Sequence, residues 1–396
     1  MSQQVLVKIS GVDAPGITAA VTSCFEPVQA RLLDIEQAVT HGLLSLMVLL
    51  DVDETRVVPL EKCVNSKLQG YKLEVKFDLI DGPTRVADPS NRYVATVIAS
   101  EIPPALVADL TATIAQSNTN IDSIRKLSSS GVSTIELICS SKEKLVLAAV
   151  KERLMGVVNK YAGIDIAIQK ENIYRRSKRL VVFDMDSTLI QGEIIDELAA
   201  RAGKKAEVSA ITKRAMEGEI DFQESLLLRV GYLKGLTKKD LEAVHAGILL
   251  SPGANRLVKV LKRLGYKIAI ISGGFSFFTD RLKSDLGIHY AYSNTLDMED
   301  DVLTGRLQGT IVDGRRKADL LDLLAQQEGI FLDQVIAIGD GANDILMLKK
   351  AGLGIAFNAK PFTKAAVGTS IDAKSMESIL YLLGINDAEI EDMGIR

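Results

Sequence analysis

Four short apolar runs recur between residues 180 and 357: LVVF (Leu180–Phe183), KIAIIS (267–272), QVIAIG (334–339) and LGIAF (Leu353–Phe357). Strands this apolar on both faces need cover on both faces. The longer helical stretches between them supply the crossovers that parallel strands require. The pattern therefore predicts an α/β fold with a Rossmann-like parallel sheet. In such sheets ligands bind at the carboxyl ends of the strands, so those ends are where function is sought.

Three of the runs end in polar groups. The first gives Asp184 and Asp186 (DMDST), and alternation along a strand would turn Met185 away from them. The second gives Ser272, then Gly273 and Gly274. The third gives Asp340, Gly341, Asn343 and Asp344 (GDGAND). Lys317 precedes the helical stretch ADLLDLLAQQ. Taken singly, a DxD pair, an SGG turn or a lysine is ordinary surface. Together, on successive strands, they bring carboxylates, a hydroxyl, an ammonium and glycine-exposed amides to one edge. Paired carboxylates repel unless a cation or a shared proton lies between them. Hard aspartate oxygens suit Mg²⁺, which takes one or two carboxylates with water and phosphate oxygens. A carboxylate facing a phosphate can attack phosphorus, and a second can carry the proton of the leaving alkoxide.

Other classes find less support. Of the 396 residues, 47% are hydrophobic and 25% charged, which is enough to build sizeable cores. The net charge of -4 argues against nucleic-acid or anionic-membrane partners. No apolar stretch is long enough to span a bilayer. The start, MSQQVLVKIS, does not read as a secretory leader, and a cytoplasmic location is expected. Cys24, Cys63 and Cys139 form no CxxC pair and read as unpaired thiols in a reducing compartment. His41, His245 and His289 are too scattered to suggest a zinc site or a Ser-His-Asp triad.

Upstream of these runs a β-α-β-β-α-β order occurs twice. QVLVKIS, ITAAVTSCFEPVQ, LLDIEQAVT, LLSLMVLLDV, VVPLEKCVNSKLQGY and KLEVKFDLI form the first copy. RYVATVIAS to DIAIQK forms the second. Each reads as a ferredoxin-like split βαβ unit. The boundaries fall at 1–82 and 92–172, with a Pro- and Asp-containing linker over 83–91. Residues 173–192 and 251–396 form the α/β core, and the mostly helical insert 193–250 caps it.

DMDST, SGG, Lys317 and GDGAND resemble, in order and spacing, the four motifs of the haloacid dehalogenase superfamily. The resemblance implies Asp184 as nucleophile and Asp186 as general acid/base, with Ser272 and Lys317 on the phosphoryl group. It implies Asp184, Asp186 (through its carbonyl) and Asp340 as Mg²⁺ ligands, with Asp344 orienting them. The cap is similar to that of the phosphoserine phosphatase family. By that likeness Glu193 and Arg229 read the amino and carboxylate groups of O-phospho-L-serine. Met216 and Phe222 shield the site, and Gly273 and Asn343 add hydrogen bonds. Taken alone, Glu193 reads first as a first-turn helix acid, favoured by the macrodipole. The reaction implied is hydrolysis to L-serine, the last step of its biosynthesis. A phosphatase or phosphotransferase for another small ester, such as phosphohomoserine, and an amino-acid-sensing regulatory protein are the alternatives. The two repeats resemble ACT domains, modules that bind amino acids and pair. This implies an L-serine effector at the Gly11 loop (ISGVDAPG) and a homodimer; the second repeat reads ASEIPPAL there and lacks the glycine.

Overall fold

The computed structural model describes residues 2–80, 91–129, 131–142 and 146–395, and leaves out the side chain of Met216. The expected linker falls almost wholly on residues 81–90, outside the described ones. The chain divides into two compact units, residues 1–86 and 87–396.

In the first unit the order is β1 (Ser2–Val12), α1 (Ile17–Thr22), β2 (Arg31–Thr40), β3 (Leu43–Asp53), α2 (Val57–Leu68) and β4 (Leu73–Ile80). The antiparallel sheet runs β2-β3-β1-β4. Alternate residues Val5, Val7 and Ile9 of β1 and Leu44, Leu46, Val48 and Leu50 of β3 face the helices. There they bury against Ile17, Val21, Leu60 and Val64, as the two-residue period of a strand dictates. Two expectations change here. The first helix was expected to run to residue 29, but it stops at Thr22 and gives way to turns. Pro27 removes a main-chain donor and disfavours helix in the residue before it. Cys24 and Cys63 are not unpaired: they form a disulfide, with Cα atoms 5.8 Å apart, beside helices that pack on each other. No sequence spacing signals a pair 39 residues apart. Cys139 is the free, buried thiol.

The second unit begins with the second split βαβ module: β5 (Arg92–Ala99), α3 (Pro104–Gln116), β6 (Thr119–Lys126), β7 (Ser133–Ser141), α4 (Leu147–Val158) and β8 (Ile164–Lys170), in the order β6-β7-β5-β8. After it come α5 (Ile173–Arg176), β9 (Leu180–Phe183), then α6 (Ile194–Arg201), α7 (Lys205–Met216), α8 (Phe222–Gly231) and α9 (Lys238–Ala246) of the cap. The core continues with α10 (Ala254–Arg263), β10 (Lys267–Phe275), α11 (Ser276–Leu286), the hairpin β11 (Tyr290–Glu299) and β12 (Val302–Gln308), and α12 (Gly314–Gln327). It ends with β13 (Val335–Gly339), α13 (Ile345–Lys350), β14 (Leu353–Phe357), α14 (Pro361–Val367), β15 (Ser370–Ile371), α15 (Ser378–Leu382) and α16 (Asp387–Asp392).

The seven-stranded sheet runs β12-β11-β10-β9-β13-β14-β15. β9 lies at its centre, parallel to β10 and β13, with Leu180 opposite Lys267 and Val335. Val181, Phe183, Ile268, Ile270, Ile336 and Ile338 enter the core on one face. Leu180, Val182, Ala269, Ile271, Val335 and Ala337 enter the core on the other. That two-sided burial is the reason the runs carry no polar alternation. The module β5–β8 is fixed to the core. Gln169 donates to the Leu382 carbonyl at 2.9 Å, and Asp387 accepts from the Ser129 N–H and hydroxyl. The fully buried Glu136 of β7 pairs with Arg175 of α5.

Candidate active site

The chain leaves β9 through a sharp turn. The Asp184 N–H still bonds the Ile338 carbonyl of β13 at 2.8 Å, so this aspartate is held at the sheet's edge. Leu189 and Ile190 then bond back to the Asp184 and Met185 carbonyls, closing a wide turn. Ser187 adopts φ 54° within it. The turn breaks strand alternation, so Met185 reaches its buried position by another route. It packs into the core, and a Cβ on Gly274 would lie 2.8 Å from its Cε.

Lys317 stands on the first turn of α12, whose N-terminus Asp313 caps by accepting from the Arg316 N–H. Its ammonium is fully buried and donates to Asp184 and to Asp344, each at 2.7 Å. Asp344 also accepts from the Gly341 N–H at 3.0 Å. Asp340 accepts from the Thr188 hydroxyl at 2.8 Å. One carboxylate oxygen from each of Asp184, Asp340 and Asp344 lies within 4.8 Å of the others. Burial, and then the Asp344 charge, push Asp184 up, while Lys317 pulls it back. Burial alone would lower Lys317, but the two aspartates outweigh it and hold the ammonium charged. Burial, then Asp344, raises Asp340 to about 6. Negative charge thus exceeds what one lysine offsets. A hard, oxygen-ligated divalent cation fits that donor set and that imbalance.

Asp186 points the other way. Its carboxylate accepts from the Ile194 N–H at 2.9 Å. Its second oxygen lies 2.6 Å from where a Cβ on Gly274 would stand. Burial, then Glu193, raises it to about 7. Glu193 sits at the N-cap of α6, but its side chain makes no capping bond; it accepts instead from the Ser187 hydroxyl at 2.9 Å. Ser272 is fully buried and accepts from the Gly274 N–H. A Cβ on Gly273 would meet the Phe222 ring at 3.0 Å and the Asn343 amide at 3.7 Å, so Phe222 covers this loop. Burial lowers Arg229, which feels the charges of Glu193, Asp196 and Asp186. The Met216 side chain lies outside the described residues.

Sequence reasoning passed over five polar residues. Thr188 and Ser187 hold Asp340 and Glu193. Asn294 donates to the Gly273 carbonyl and accepts from the Val312 N–H, both at 2.8 Å. Gln223 donates to Asp313 at 2.7 Å. Only Asp313, immediately ahead of α12, carries a local signal, that of an N-cap.

This fold, with its edge cluster of aspartates and lysine, defines a haloacid dehalogenase-like hydrolase, and the model of that family matches residues 178–352. ACT-domain models match residues 3–78 and 92–169. Over 98% of its length the chain is 40% identical to a phosphoserine phosphatase of Streptomyces coelicolor, covering 93% of that protein. Phosphoserine phosphatase SerB2 of Mycobacterium tuberculosis is 38% identical over 99% of the chain and 97% of its own. A solved structure described as a phospho-aspartyl intermediate analogue of phosphoserine phosphatase is 43% identical, with a TM-score of 0.50; it matches 52% of this chain and 98% of its own. The chain belongs to the phosphoserine phosphatase family, in a form that carries two ACT domains ahead of the hydrolase.

Proposed function

We propose that the protein hydrolyses O-phospho-L-serine to L-serine and phosphate, the last step of L-serine biosynthesis, through an aspartyl-phosphate on Asp184. The observation that carries this reading is the buried Asp184 carboxylate at the end of the central strand, hydrogen-bonded to Lys317. An Asp184 oxygen attacks phosphorus as the bond to the serine oxygen breaks. Asp186, whose proton affinity burial and then Glu193 raise to about 7, gives its proton to the departing alkoxide. It then takes a proton from water as that water attacks phosphorus and releases Asp184. Lys317, the Ser272 hydroxyl and the main-chain N–H groups of the Gly273 loop stabilise the phosphoryl oxygens.

Asp184 and Asp340, with the Asp186 carbonyl, would hold Mg²⁺, and Asp344 would orient them. Bound there, the ion offsets the negative charge of carboxylates and phosphoryl oxygens. Glu193 and Arg229 suit the ammonium and carboxylate of serine. Phe222 and Asn343 complete the enclosure. Turnover of phosphoserine, phosphothreonine and sugar phosphates, with and without Mg²⁺, is the test. Equal rates on all three would refute the substrate, and turnover retained by Asp184→Asn would refute the nucleophile.

For the first ACT module the reading is an L-serine effector site at the Gly11 loop and pairing into a homodimer. Gly11 has φ 147°, and a Cβ there would stand 2.3 Å from the Lys72 carbonyl, so only glycine lets β1 and the start of β4 approach this closely. Support for pairing comes from edge strand β2, exposed along its whole length with Leu32, Leu33, Ile35 and Val39 uncovered. Calorimetry with L-serine and light scattering of the full chain test the two claims separately.

A further inference from the structure

The cap is fastened to the core by main-chain bonds in two places. At its root Ile190 bridges Leu250, and the Gln191 N–H bonds Leu249 at 2.8 Å. At its far side residues 235–238 exchange bonds with the β11–β12 hairpin: Gly235 to Leu303, Leu303 to Leu236, and Lys238 to Asp301. The first turn of α8 meets the core differently, through side chains. Asp221 caps this turn by accepting from the Glu224 N–H at 2.8 Å, which fixes the two residues between them. Those two reach separate core loops. Phe222 lies over Gly273, and Gln223 donates to Asp313 at 2.7 Å.

The two loops are not independent. Asn294, 2% exposed, spans them, donating to the Gly273 carbonyl and accepting from the Val312 N–H beside Asp313. The contacts therefore close a ring: Phe222 to Gly273, Gly273 to Asn294, Asn294 to Val312–Asp313, and Asp313 back to Gln223. One member of the ring, Asp313, also starts the helix that carries Lys317.

We propose that Gln223 and Asp313 are the catch that holds the cap closed, and that Asn294 is the brace that aligns the two loops on which the catch and Phe222 close. These are positioning residues: in this arrangement none of the three needs to touch the reacting phosphorus. The proposal rests on reading the site as a capped phosphatase. Its kinetic consequence follows from population shift. If substrate is held by the closed form, weakening the catch lowers the closed fraction, and apparent affinity falls by that fraction.

The test uses the full-length protein with Mg²⁺ and the variants Gln223→Leu, Asp313→Ser and the double. Serine keeps an oxygen for capping α12 but is too short to reach Gln223. Each single change should raise KM for O-phospho-L-serine roughly three- to tenfold, the range for net loss of one solvent-exposed hydrogen bond, with a smaller change in kcat. The double should be no worse than the worse single. Hydrogen exchange of residues 217–226 without substrate should quicken in all three. Asn294→Asp, which keeps an acceptor for Val312 but sets an oxygen against the Gly273 carbonyl, should raise KM further and quicken exchange in the same segment. Unchanged KM and exchange in Gln223→Leu, or additive effects in the double, would overturn the catch. If wild-type protein does not turn over phosphoserine, the substrate reading fails, while the exchange data still decide the catch.

Discussion

Replacing Lys317 by methionine keeps the length and most of the volume of the side chain and removes its charge. In the native site one ammonium, fully buried, donates to Asp184 and Asp344 at 2.7 Å each. Without it two buried carboxylates lose their donor, and with Asp340 close by they repel one another. Breaking a buried ion pair by removing one partner costs about 3–5 kcal/mol. Because several domains do not unfold as one unit, the reading is local: amide exchange in β9 and β13, in EDTA, should rise by about the factor that this cost implies. Two features identify the cause. Lowering the pH should shrink the deficit, because Asp184, already raised by burial and Asp344, then protonates and no longer needs a partner. Saturating Mg²⁺ should also shrink it, since a cation that binds only the folded site stabilises that site by mass action. Turnover should fall about 10²- to 10³-fold, as when one preorganised donor to a developing oxyanion is removed. If exchange in EDTA and turnover both stay within twofold of wild type, Lys317 does not balance the cluster, and the electrostatic account of the site fails.

Three further outcomes follow from other contacts. Gly274→Ala should cost at least tenfold in kcat without unfolding the protein, because the new Cβ would stand 2.6 Å from the Asp186 carboxylate and displace it; steady-state kinetics and circular dichroism check this together. Arg175→Met should destabilise the joint between the second module and the core by up to about 3–5 kcal/mol, because it leaves the buried Glu136 only the 3.9 Å contact of Arg176, whereas Arg175→Met with Glu136→Leu should recover most of the loss; amide exchange in β7 and α5 compares the two variants. Asp165, whose carboxylate accepts from the Asp372 N–H, is pushed up to about 6, chiefly by burial. The folded state holds that proton more tightly than the unfolded chain, so stability falls as pH rises from about 4 to about 6, by at most ~3 kcal/mol before allowance for solvent screening. Asp165→Asn should flatten that part of the pH profile in calorimetric melts, and an unchanged slope would refute the assignment.

What could be read without coordinates follows the physics of each element. β9, β10, β13 and β14 were legible because strands buried on both faces are continuous apolar runs. Their functional ends were legible because charged residues directly after such runs are conspicuous. The β11–β12 hairpin was not: its strand YAYSNTLDME is part-buried and polar, and its antiparallel pairing leaves no crossover helix to announce it. α1 was overextended because helical periodicity continues to residue 29, while Pro27 and the turns of residues 23–29 decide otherwise. The Cys24–Cys63 pair depends on how two helices pack, which their spacing does not encode.

The candidate site divides along the same line. Residues that act by their own chemistry, such as Asp184, Asp186, Lys317 and Asp340, are rare enough in type and position to be named from letters. Residues that act by holding others are common in type, and only three-dimensional contact distinguishes them. Thr188 matters through Asp340, Ser187 through Glu193, and Asn294 through two main-chain groups 39 residues apart in the chain, Gly273 and Val312. None of these contacts has a periodicity or a motif. The same division separates the experiments. Substitutions in the first group should act on kcat, because they remove groups that face the reacting phosphorus. Substitutions at Gln223 and Asp313 should act mainly on KM, because they alter how often the cap is closed rather than what happens beneath it.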